Sequence, residues 1–280
     1  MQRRSLTGGG GLTLSVLDSG ARAGLPIVFI HGFSQSALSW KHQLESALAD
    51  RHQLVALDLR GHGESGKPLE AAHYTDSGLW AEDVAALIAS IGAPQVLLVG
   101  WSYGGLVVCD YLRRFGQQQV AGVAFVSAVT KVGAPEAMAL LGPKLTRHIP
   151  ALFSHDATEA VRTLGQFVRD CEAAPLSDSA FYETLGFNCA TPPAVRLGLF
   201  SRQLDNDDVL ASLQQRPVML VHGSEDAILL PAGSQHIKAL LPAASLHAIA
   251  GVGHAPFREA PEVFNRLLAD FAATVGSTKP

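Results

Sequence analysis

The chain is poor in cysteine: Cys109, Cys171 and Cys189 are the three in 280 residues, and they are far apart. That excludes a disulfide framework and gives no metal-ligand cluster, and it fits buried or partly buried thiols in a reducing compartment. Charge is also sparse. Only 16% of residues are charged, the net charge is −4, and no basic run is present, so nothing points to nucleic acid. No apolar run approaches the length needed to span a membrane. The opening MQRRSLTGGGG has two arginines without an apolar stretch behind them, so no signal peptide is expected and a cytoplasmic location is the default. What the chain does have is apolar residues, at 48%, enough for one large domain with a sizeable core.

The most informative stretch is VLLVGWSYGGLVVCDYLRRF, residues 96–115. Val96 to Val99 is short and apolar, the signature of a buried strand. Leu106, Val107, Asp110, Tyr111, Arg114 and Phe115 follow helical spacing. Between them lies Gly100-Trp101-Ser102-Tyr103-Gly104, a G-x-S-x-G spacing at a strand-to-helix junction. A serine there is forced into a strained turn above a helix N-terminus, whose free N–H groups favour developing negative charge. The remainder alternates strand and helix. Pro26–Ile30, Leu54–Leu57, Val120–Val126, Pro217–Val221 and Leu246–Ala250 read as strands; Leu12, Leu14 and Val16 read as an antiparallel edge strand. Residues 1–11 read as a frayed start or edge strand followed by a glycine turn. Residues 36–50, with Leu38, Leu44 and Leu48 inward, are predicted as a helix. So are residues within 74–91, 231–241 and the segment carrying Val263, Phe264, Leu267, Leu268 and Phe271. Residues 276–280 are expected to be disordered. From about 130 to 208 the alternation stops, and prolines break up helical stretches.

With this elbow, the loop His31-Gly32-Phe33-Ser34, the loop Asp58 to Ser65 and the run Gly251 to Phe257, the chain resembles the α/β-hydrolase superfamily over nearly its whole length. The resemblance implies an α/β fold: a mostly parallel, eight-stranded twisted sheet flanked by helices, built from residues 1–129 and 209–280, with a helical cap inserted at 130–208. It implies a nucleophile, acid and base in the order Ser102, Asp226, His254, with Glu225 the fallback acid. The oxyanion donors it implies are the backbone N–H groups of Phe33 and Tyr103. By the same resemblance His31 braces its loop, and Asp58, Arg60 and His62 form a structural turn.

The chemistry needs these residue types. A serine hydroxyl is a weak nucleophile without a general base, histidine has a pKa suited to that task, and a carboxylate fixes the histidine tautomer. A serine rather than an aspartate at the elbow, and Ser34 where epoxide hydrolases and haloalkane dehalogenases usually have proline, argue against those two activities. The expectation is therefore a serine carboxylesterase or lactonase acting on a small to medium acyl substrate, with no metal or organic cofactor. The alternatives are a C–C bond hydrolase or a perhydrolase or haloperoxidase with the same triad, and, from another class, a non-catalytic ligand receptor. Trp101, Met138, Leu141, Phe153, Phe167, Phe181 and Phe187 are candidate substrate contacts, and Phe200 belongs with them. Lys131, Lys144, Arg147, Arg162, Arg169, Arg196 and Arg202 are read as a solvated face rather than a receptor for an acidic partner. Oligomeric state stays open.

Overall fold

The structure is a computed structural model that describes residues 1–277. Its centre is an eight-stranded sheet. The strands that build it, with a short pair outside it, are β1 (Gln2–Thr7), β2 (Thr13–Asp18), β3 (Gly24–Ile30), β4 (His52–Leu57), β5 (Val96–Trp101), β6 (Val120–Val126), β7 (Lys131–Val132), β8 (Leu204–Asp205), β9 (Val218–Gly223) and β10 (Ser245–Ile249). The order in the sheet is β1-β2-β4-β3-β5-β6-β9-β10, with the pairs β1–β2 and β2–β4 antiparallel and the remaining neighbours parallel. Strands β4 and β5 lie on opposite sides of β3. The chain therefore reverses direction across the sheet at β3, and loops leaving the carboxyl ends of β3 and β5 face each other there.

Side chains alternate along each central strand, so the sheet has two apolar faces. Val28 and Ile30 join Leu98, Leu87 and Leu106 on one side, whereas Ile27 and Phe29 join Leu97, Trp40 and Phe264 on the other. The first face is covered by α1 (Ser77–Ile91) and α2 (Gly104–Phe115). Helix α1 is capped by the Asp76 carboxylate, 2.7 Å from Gly78 N, and it stops at Gly92, whose φ of 72° is left-handed.

Residues 127–217 leave the sheet after β6. They contain α3 (Ala157–Asp170), α4 (Asp178–Ala190) and α5 (Pro193–Phe200), and β7 pairs with β8 where the chain departs and returns. The sheet then resumes with β9, α6 (Ala232–Leu240), β10 and α7 (Pro261–Ser277), whose Phe264 and Leu268 cover the second face. None of the helices described is long and apolar enough to cross a membrane.

Two local expectations change, the helix over 36–50 and the disorder of 276–277. Residues 37–51 form separate short turns, not one helix: the Ser46 hydroxyl donates to Gln43 O at 2.7 Å and accepts from Leu48 N at 3.2 Å, displacing ladder bonds. Leu38 is consequently only partly buried. Of the two readings of the opening residues, the edge strand holds: residues 2–7 form β1 at the sheet edge. Gly276 and Ser277 belong to α7; the expected disorder of 278–280 lies outside the described residues.

Candidate active site

Ser102 sits between β5 and α2 with φ 53°, the left-handed region that a serine adopts only under constraint. The constraint is backbone bonding on both sides: Ser102 N donates to Val126 O at 3.0 Å, and Ser102 O accepts from Gly105 N at 3.0 Å and Val129 N at 3.1 Å. Close approach of helix and sheet requires Gly104, where a Cβ would lie 2.4 Å from Ile30 O. The register pairs Ile30 with Gly100, which sets the loop after β3 beside the elbow. The N–H groups of Phe33 and Tyr103 have no acceptor among the described residues, and neither does the Ser102 hydroxyl.

Asp226 and His254 come from the loops after β9 and β10, which are adjacent parallel strands. Asp226 Oδ2 lies 2.8 Å from His254 Nδ1. Its Oδ1 accepts from Ile228 N at 2.9 Å and Leu229 N at 3.0 Å. Both residues are only 3% exposed. Burial alone would push the Asp226 carboxyl up. The charge of His254 and the hydrogen bonds from His222 and His254 outweigh it and hold the carboxyl well below the usual range. Glu225 points elsewhere: it is exposed and accepts from the Ser224 hydroxyl at 3.0 Å. The structure thus joins Asp226, not Glu225, to the histidine.

Sequence reasoning assigned no role to His222, at the end of β9. Its Nε2 is 2.9 Å from Leu229 O and 3.1 Å from Asp226 Oδ2, and its Nδ1 is 2.7 Å from Ser234 Oγ. With the carbonyl as acceptor, Nε2 carries the proton and Nδ1 accepts from the serine hydroxyl. His222 is therefore a second donor to the carboxylate. The available signal was its spacing, four residues before Asp226 across a turn.

A cavity of about 120 Å³ opens onto Ser102. Its wall is apolar apart from Ser102 and Lys131, and includes Phe33, Tyr103, Leu145, Ile228 and Leu229. Of the candidate contacts, Met138, Leu141, Phe167 and Phe200 line it. Four do not. Trp101 follows Leu97 and Val99 onto the other face of the sheet, packs on Trp40 and Phe257, and donates from Nε1 to His254 O at 2.8 Å. Phe153 packs on Phe200 from outside the cavity, at 5.2 Å between ring centres. Phe181 lies under the Arg169 guanidinium, 3.7 Å from its ring centre. Phe187 lines a separate cleft against Leu38 and Lys41.

The inserted cations do not form one solvated face. Arg196 is buried and donates to the carbonyls of Leu152, Asn188 and Thr191. Arg202 is buried against Asp110 at 2.7 Å and also reaches Tyr103 Oη at 3.3 Å. Lys131 is neutralised by Asp205 at 3.0 Å and Asp207 at 2.6 Å. The loop after β3 is braced by His31, whose Nε2 accepts from Leu59 N at 3.1 Å, and by His62, whose Nε2 accepts from Ser34 N at 3.3 Å. Burial lowers His31 to about 4 and lowers His62 as well, so both stay neutral at pH 7. Arg60 and Asp83 form a fully buried pair at 2.7 Å.

The sequence model of the Alpha/beta hydrolase family matches residues 27–267. An esterase from Rhodococcus sp. ECU1013 superposes with a TM-score of 0.92 and is 36% identical, covering 99% of this chain and 100% of that one. A non-heme chloroperoxidase from Streptomyces lividans is 29% identical over 289 residues, 95% of this chain and 98% of that one. The AB hydrolase superfamily protein YisY from Bacillus subtilis (strain 168) is 26% identical over 266 residues, 93% of this chain and 96% of that one.

Proposed function

Because this chain belongs to the alpha/beta hydrolase family, we propose that it hydrolyses carboxylic esters of small, neutral acyl groups through Ser102, His254 and Asp226. The observation that carries this reading is the pairing of a strained serine at the elbow with a buried carboxylate 2.8 Å from a histidine on the same edge of the sheet. Ser102 Oγ attacks the carbonyl carbon and His254 Nε2 takes its proton. The oxyanion accepts from Phe33 N–H and Tyr103 N–H, donors left free in the fold. The C–O bond to the alcohol breaks as His254 returns the proton to it. Water, deprotonated by His254, then attacks the acyl carbon and releases the acid and Ser102.

The inserted residues 130–208 act as the cap and, with the core, shape the acyl site. A cavity of about 120 Å³ with no unpaired cation selects for a short, uncharged acyl chain. The likeness to an esterase supports the reaction class. The likeness to a non-heme chloroperoxidase supports a second reading, in which hydrogen peroxide replaces water at the acyl-enzyme and releases a peracid.

The test is hydrolysis of p-nitrophenyl esters from acetate to decanoate by the wild type and Ser102→Ala. Turnover is expected to be greatest for the short chains and to fall by at least about 10⁴-fold in the variant. Absence of turnover on every ester by folded wild-type protein would sink the ester reading. Peracid formation with acetate and peroxide would move the second reading forward.

A further inference from the structure

His254 lies in a loop whose backbone is held from outside the loop. Three consecutive amides there have assigned acceptors. Gly253 N donates to Glu259 Oε1 at 2.9 Å, and Ala255 N to the same oxygen at 3.4 Å. His254 N donates to Cys171 O at 2.7 Å. The other Glu259 oxygen, Oε2, accepts from Ala173 N at 2.7 Å. Cys171 and Ala173 belong to the inserted segment, at the turn that follows α3. Between them Glu172 is buried and ion-paired with Arg258, which also donates to Thr184 Oγ1 of α4 at 3.2 Å. The two backbones touch: a Cβ on Gly253 would lie 2.7 Å from Ala173 N and 2.8 Å from Cys171 O.

From this geometry we infer that Glu259 is a positioning residue for the base. One carboxylate fixes the amides on either side of His254 and ties the loop to the Cys171–Ala173 turn. The inserted segment thereby becomes part of what orients the imidazole. The inference rests on His254 being the base in the proposed reaction. The Glu259 side chain does not line the cavity. Its loss should therefore affect the chemical step and leave substrate binding intact.

The experiment compares wild type with Glu259→Ala and Glu259→Gln. It measures kcat and KM on p-nitrophenyl butyrate, the rate at which a fluorophosphonate labels Ser102, and the melting temperature. Misplacing a reacting group by about an ångström costs on the order of a hundredfold. Glu259→Ala should lower kcat and the labelling rate together by about that much, with KM within about threefold. Glutamine keeps an acceptor for Gly253 N and Ala255 N but sets an NH₂ against Ala173 N–H, so the loss should be about tenfold. A folded Glu259→Ala protein labelled at the wild-type rate overturns the inference, and so does a loss confined to KM. If the alanine variant does not fold, Glu259→Gln decides, and wild-type rates in it overturn the inference equally. Wild type that is labelled but cleaves no ester removes the ester reading alone, because the labelling comparison still stands. Wild type that is not labelled removes both.

Discussion

Replacing Asp226 with asparagine tests the acid directly, because the structure fixes which way the amide must turn. Oδ1 of Asp226 lies against two donors, Ile228 N and Leu229 N. An asparagine must keep its oxygen there, since an NH₂ would face two N–H groups. Its NH₂ is then directed at His254 Nδ1, 2.8 Å away in the wild type, and at the Nε2–H of His222. His254 can meet that donor only by carrying its own proton on Nε2, which leaves no lone pair for the Ser102 proton. The imidazolium formed during attack also loses its counter-charge. A wrong tautomer together with that lost charge is worth on the order of 10⁴-fold in kcat, about 5 kcal/mol of barrier. The assay is kcat on p-nitrophenyl butyrate, with circular dichroism to confirm folding and Glu225→Gln beside it. Glu225→Gln should stay within about twofold of wild type, since it faces solvent. An Asp226→Asn enzyme within tenfold of wild type, or a Glu225→Gln enzyme that loses activity, would refute the assignment.

Two other outcomes are expected. Leu141→Ala widens the cavity by the volume of a few methylenes and should move the preferred acyl chain two to three carbons longer, at about 0.8 kcal/mol per added buried CH₂; an unchanged chain-length profile would remove Leu141 from the acyl site. Glu172 gives a pH signature. Burial raises its carboxyl to about 7, with Arg258 pulling it down and Glu259 pushing it up. An unfolded glutamate titrates near about 4.3, so across that interval the folded chain holds the extra proton. Stability should fall as pH rises from about 4.3 to 7, by up to roughly 4 kcal/mol, and level off above. Urea midpoints from pH 4.5 to 8 should show this slope in wild type and a shallower one in Glu172→Gln. Equal slopes would remove Glu172 as the source.

The parts of the site legible in the sequence are contiguous ones. The elbow is a run of five residues between a strand and a helix, and its strain follows from that local context. The alternation along β5 already placed Trp101 with Leu97 and Val99, so its burial on the far face was readable from the period of two. The cap phenylalanines were not readable in this way. Phe167, Phe181 and Phe187 all lie on helices, and only the packing of those helices on one another and on the core turns Phe167 to the cavity, Phe181 beneath Arg169 and Phe187 to another cleft. Arg196 and Arg202 look like surface charges in a list of cations. Their burial depends on carbonyls and a carboxylate far away in the chain: Leu152 is 44 residues from Arg196, and Asp110 is 92 from Arg202.

The order of strands and helices and the elbow were set by local pattern, because apolar period and turn chemistry act over a few residues; the order of serine, carboxylate and histidine was what the family resemblance implied. Which carboxylate meets the histidine, how His222 supports it and how the inserted segment grips the histidine loop were decided only by tertiary structure. The contacts of His254 with Asp226 and of the inserted segment with the histidine loop join residues 28 and 86 positions apart, and their geometry comes from the register of parallel strands β9 and β10 and from a backbone contact at Gly253 that leaves no room for a side chain.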